Sequence, residues 1–231
     1  MDGLSPHADL LRIALLGALL GLDVVSFPQA MISRPIVAAT VAGALVGNPV
    51  GGLLVGAALE LFALETLPVG ASRYPEWGSA SVVAGALYAQ QPNGTAGALC
   101  ASVLVGLVTA WVGGESMVLL RRLNGQLARA HLDRLAAGSA RSVVGLQLAG
   151  LGGDFVRGFL ITVVALGAAQ PLVRMALASW GASQRWSQAF VMTLAAIVAS
   201  GAVWKLVHAV PRARWLFAGG LTVGLAALAL W

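Results

Sequence analysis

Residues 35–59 read PIVAATVAGALVGNPVGGLLVGAAL. No charged side chain interrupts the stretch, and Asn48-Pro49 divides it into two short apolar pieces. Proline lacks a backbone donor and pushes its predecessor off helical geometry. The pattern predicts two half-length helices joined by a tight turn. Gly43, Gly47 and Gly51 recur every fourth residue, followed by Gly52 and Gly56. Small residues at that spacing let helices approach closely in lipid. Irregular backbone is tolerated at membrane depth only where protein or a water-filled cavity covers it. In transporters such breaks often mark the substrate site. The stretch therefore predicts a re-entrant hairpin, with its glycines as a packing face.

The rest of the chain agrees with a membrane setting. Of 231 residues, 58% are hydrophobic and 10% charged, against about 25% charged in soluble domains. Mean hydropathy is +0.85. This composition excludes a water-soluble globule and a disordered chain, which needs low hydrophobicity and high charge. At roughly 20 residues per span, the length gives about six to eight membrane segments in one domain. The expected fold is an all-α polytopic transmembrane bundle with broken or re-entrant helices, occupying residues 1–231. Asp2, Asp9 and Arg12 around the first apolar run differ from the basic start of a cleaved signal, so a retained N-terminus is expected.

The net charge is +5, and every cation except Lys205 and the histidines is arginine. The arginines stand at span ends or singly in apolar runs, without the basic stripe and interleaved aromatics of a nucleic-acid binder. Residues 121–141 hold Arg121, Arg122, Arg129, Arg134 and Arg141 against Asp133 alone. Such a segment beside spans reads as a cytoplasmic connector. Leu123, Leu127 and Leu135 give it the spacing of a short amphipathic helix. Thr95–Leu120 before it is the clearest full span, entered through a turn at Gln90–Gly94. Lys205, His208, Arg212 and Arg214 form a second basic connector.

A carboxylate in an apolar membrane run is costly and is a functional candidate by default. Glu60, within GAALELFAL, is the leading one. It suits a polar cavity that accepts sugar hydroxyls, or it pairs with a cation such as Arg34. Arg34 precedes Pro35, so Gln29, Ser33 and Arg34 should lie at a break between helices. Their amides, hydroxyls and guanidinium fit a polyol, and equally fit backbone groups freed by the break. Asp154 and Arg157 stand three apart and would share a helix face, as a buried pair or as a ligand contact. Glu65 and Glu115 read as interfacial charges.

No catalytic constellation appears. Phosphate-loop and HExxH patterns are missing, Cys100 is the single cysteine, and His7, His131 and His208 share no ligand spacing. No cofactor or metal is expected.

The stretch from Asp23 to Glu76 resembles the membrane subunit IIC of the mannose/fructose/sorbose family of the bacterial sugar phosphotransferase system (PTS). Arg34-Pro35-Ile36-Val37 matches the family's RPIV segment. Gly43 to Asn48 matches a GxxxGD break with asparagine for aspartate. Gly52 to Leu61 matches GLxxGxxLEL. Gly70-Ala71 to Pro75-Glu76 matches the GAxxPPD ending, with Tyr74 for the first proline and Glu76 for the acid. Glu65 stands where the family often has a small residue. The chain ends within an apolar run where family members continue.

The resemblance implies a sugar-translocating, non-enzymatic subunit. Its expected partners are a sister membrane subunit IID and cytoplasmic IIA and IIB subunits that carry phosphate. It implies a trimer of IIC–IID pairs, a hexose or amino-sugar substrate, elevator-like alternating access and a bacterial inner-membrane location. Carried onto this chain, Gln29, Arg34, Glu60 and Glu76 are candidates for the sugar path, with Asp23 and Ser33 beside them. The other reading is a non-transporting regulatory scaffold built on the same fold.

Overall fold

The computed structural model describes residues 6–64, 73–91, 95–208 and 210–229. Glu65 and the 67–72 part of the family-like motif lie outside them. The described residues form nine helices: α1 (Pro6–Asp23), α2 (Pro35–Leu45), α3 (Pro49–Ala63), α4 (Trp77–Ala89), α5 (Ala98–Ala130), α6 (Leu132–Ala136), α7 (Ala140–Ala178), α8 (Gln184–Val207) and α9 (Ala213–Ala229). The all-α membrane fold read from the sequence is the one observed. Three helices (α5, α7 and α8) are long and apolar enough to cross a bilayer.

The break at Asn48-Pro49 forms as its chemistry dictates. Proline opens both α2 and α3, where the missing N–H costs nothing. Gly47 takes the left-handed conformation (φ +86°) that ends α2. Asn48 then caps α3, its side-chain oxygen accepting from Gly51 N at 2.8 Å. Its amide nitrogen donates to Ala89 O at 3.3 Å, tying the hairpin tip to the end of α4. At 1.5 Å per residue α2 and α3 are about 16 and 22 Å long, short of the roughly 30 Å hydrocarbon core.

The recurring glycines form the packing face. A Cβ on Gly52 would lie 2.2 Å from Ala39 O, and one on Gly43 would lie 2.8 Å from Gly52 Cα. Only glycine permits the α2–α3 approach. Helix α4 fills the centre, with every residue from Gly78 to Ala89 buried. It packs on α1, α2, α3, α5 and α7. Ala39 meets Gly85 and Asn48 meets Ala89, so α2 and α4 run in the same direction.

The Arg-rich connector differs from its reading as a separate short helix. Residues 121–130 continue α5, Leu132–Ala136 make one further turn, and α7 begins at Ala140. Between Leu120 and Ala130 the chain holds mostly Arg, Leu, Gln and Ala, all good helix formers, with no proline. Helix α5 is therefore about 50 Å long, longer than a membrane crossing requires. At the other turn, α4 ends at Ala89 with Gln90 as its cap; Pro92–Gly94 lie outside the described residues.

Candidate sugar-path site

Four helix ends meet at one end of the α4 packet: the C-termini of α1 and α3 and the N-termini of α2 and α4. Each carries one of the charged residues singled out in the sequence.

Asp23 closes α1 and is 1% exposed. Its carboxylate accepts from Ala30 N at 2.6 Å and from Ser33 N at 2.8 Å. One side chain thus folds the whole 24–33 segment back on itself. Within that loop Gln29 and Met31 take left-handed backbone angles (φ 59° and 62°). Non-glycine residues there are uncommon and persist where the surroundings fix them. Gln29 is exposed and donates through Nε2 to Val25 O at 2.7 Å. Phe27 and Met31 project outward beside it. Ser33 is buried at the loop's end.

Arg34 and Glu60 come together, from the segment before α2 and from the last turn of α3. Arg34 Nε donates to Glu60 Oε1 at 2.7 Å, and Nη2 reaches the same oxygen. Glu60 Oε2 accepts from Ile36 N at 3.2 Å, a first-turn donor of α2 with no partner inside its helix. The two side chains keep 24% and 21% exposure. The pair therefore holds the hairpin together and remains reachable from outside.

Glu76 is placed differently. It caps α4, Oε1 accepting from Ser79 N at 3.0 Å, and its own N–H donates to Ala110 O at 2.8 Å. It has no exposed surface. Its other oxygen lies 3.9 Å from Arg157 Nη1, without a hydrogen-bond partner. Arg157 Nε donates to Asp154 Oδ1 at 2.8 Å, so the expected pair forms on α7. Asp154 also accepts from Ser26 Oγ in the 24–33 loop. Sequence reasoning gave no sign of Ser26, and it did not link Asp154 and Arg157 to Glu76.

The arrangement has two levels. Arg34, Glu60 and Gln29 offer donors and acceptors at the surface of the break. Asp23, Ser33 and Glu76 are engaged beneath it. A groove of about 540 Å³ lies elsewhere, between α5 and α7, and its walls are almost wholly aliphatic. It lacks the convergent polar groups that orient a polar ligand.

Residues 8–180 match the family described as the PTS system sorbose-specific IIC component. The chain belongs to that family. The IIC family is the one the Asp23–Glu76 motifs pointed to, and it makes this protein a membrane subunit of the PTS. No individual curated protein matches the chain. Among solved structures, one described as "Structure of membrane protein" superposes with a TM-score of 0.77 at 16% identity, covering 99% of this chain and 92% of that one. A second is a mannose transporter ManYZ in complex with microcin E492, with a TM-score of 0.62, 16% identity and coverage of 100% and 92%. At these identities the likeness establishes the fold of this IIC-family chain.

Proposed function

We propose that this protein is the sugar-translocating IIC subunit of a mannose-type, phosphoenolpyruvate-dependent phosphotransferase system in a bacterial inner membrane. The observation that carries the reading is the Arg34–Glu60 pair, reachable at a meeting of broken helix ends in a IIC-family chain. Guanidinium and carboxylate together can bond both lone pairs and hydrogens of sugar hydroxyls. Arg34, Glu60 and Gln29 contact a hexose or amino sugar. Asp23, Ser33 and Glu76 shape the break that presents them. Alternating access then delivers the sugar to the inner side. There a phosphorylated IIB, charged by IIA, transfers phosphate to it. Subunit IID completes the membrane part, in a trimer of IIC–IID pairs, and the 121–141 segment faces the cytoplasm.

One observation favours a second reading. Glu60 is already engaged by Arg34 and by Ile36 N, as a structural latch would be. That suits a non-transporting scaffold that tethers phosphotransferase proteins. Uptake of labelled hexoses separates the two, in cells without a mannose-type system that express this chain with its IID, IIB and IIA partners. Phosphorylated sugar that accumulates only when the chain is present supports transport. A stable complex without uptake supports the scaffold.

A further inference from the structure

We infer that Arg157 is a positioning residue of the sugar path, holding Glu76 and, through Asp154 and Ser26, the 24–33 loop in one geometry. The inference rests on the sugar path proposed above and adds α7 to it.

A buried pair that served α7 alone would need only the i,i+3 contact between Asp154 and Arg157. Here both members reach other elements. Asp154 Oδ2 takes the Ser26 hydroxyl. Arg157 Nη1 reaches Gly113 O at 3.4 Å and Ser116 Oγ at 3.3 Å on α5. It also faces Glu76 Oε2 at 3.9 Å. Two buried carboxylates thus share one buried guanidinium. Burial of charge is costly unless it is paired and hydrogen-bonded, and an orphan oxygen such as Glu76 Oε2 demands an explanation.

The glycines around the cluster make room for it. A Cβ at Gly113 would lie 2.9 Å from Glu76 Cβ, and one at Gly21 would lie 2.9 Å from Ser79 Oγ, on the residue whose N–H Glu76 caps. Arg157 thereby connects the α4 N-terminus to the loop that carries Gln29 and leads to Arg34. Ser26, Asp154 and Arg157 thus link that loop to Glu76, beside the direct α1–α4 contact of Ser79 Oγ with Gly17 O.

The test is uptake kinetics in the assembled complex, scaled to the folded protein in the membrane. Arg157→Gln should raise the sugar KM by about tenfold or more, since small misplacements of a binding constellation carry effects of this size. Arg157→Lys keeps the charge without the planar fork and should fall between wild type and Arg157→Gln. Ser26→Ala should shift KM in the same direction by a smaller factor. Pairing Arg157→Gln with Glu76→Gln should recover part of the loss, because no carboxylate is then left facing a missing cation. If these variants lower only the amount of folded protein, with KM per molecule unchanged, Arg157 is structural and the inference fails. If Arg157→Gln does not accumulate, unchanged KM in both Arg157→Lys and Ser26→Ala overturns it equally. Arg34→Gln is the control. Normal uptake by Arg34→Gln, or none by the wild type, overturns the sugar path and the inference together. Loss in Arg34→Gln with unchanged KM in the Arg157 variants overturns the inference alone.

Discussion

Arg34 Nε donates to Glu60 Oε1 at 2.7 Å, joining the entrance of α2 to the last turn of α3 across 26 positions of sequence. The bond closes the half-length hairpin at the end opposite its Asn48 tip. The carboxylate's second oxygen meets the first turn of α2. The pair is partly exposed, so its worth lies between that of surface and buried ion pairs. Arg34→Gln and Glu60→Gln should each destabilise the protein by about 1–2 kcal/mol. The double variant should cost less than the sum, because neither charge is then left alone. Thermal unfolding of the detergent-solubilised protein measures this. Fully additive losses would show that the two side chains do not interact.

Asn48 acts at both ends of its side chain, as cap oxygen for α3 and as donor to Ala89 O. Asn48→Ala loses both and should cost about 1 kcal/mol or somewhat more. Asn48→Asp keeps the cap but turns an acceptor oxygen toward Ala89 O in place of the amide donor. Its melting temperature should fall below that of the wild type. An Asp variant as stable as the wild type would show that the bond to Ala89 O contributes nothing.

The α2–α3 approach depends on Gly52. Adding even one methyl group places a carbon 2.2 Å from Ala39 O, so backbone must move. Gly52→Ala should destabilise by at least about 1–3 kcal/mol, and Gly52→Val by more. The fraction of membrane-inserted protein that survives mild heating in detergent reports the effect. Gly47, with open space where its Cβ would be, should resist substitution for a different reason, its positive φ.

Asp23 accepts two backbone bonds that hold the 24–33 loop. Hydrogen bonds to a charged group contribute about 1.5–3 kcal/mol each. Asp23→Asn keeps one acceptor oxygen and should release either Ala30 N or Ser33 N. Amide hydrogen exchange across residues 24–33 should quicken by at least about tenfold, equal to ~1.4 kcal/mol. Unchanged exchange would mean that other contacts hold the loop.

The features legible in the sequence were the local ones. Asn48-Pro49 announced its break because proline and the small-residue spacing act within a few positions. Asp154 and Arg157 announced their pairing because three residues bring them to one helix face. Glu60 was legible as a charge in need of a partner, and the motif match supplied the family. Arg34, 26 positions away, was legible as one possible partner for Glu60, but the other long-range links were not. Ser26 and Asp154 are 128 positions apart, and no pattern marks a serine that will meet a distant carboxylate. Glu76 read as a sugar contact, yet the approach of Gly113 and the N-terminus of α4 bury it. The length of α5 was underestimated because arginines mark the membrane edge in composition without breaking the helix.

The most direct test of the sugar path is the uptake of labelled hexose by Glu60→Gln beside wild type, both assembled with their partners and at matched membrane levels. Glu60→Gln is expected to lose most uptake while still assembling. Uptake equal to wild type would contradict it, and would leave the Arg34–Glu60 pair as a structural tie of the α2–α3 hairpin.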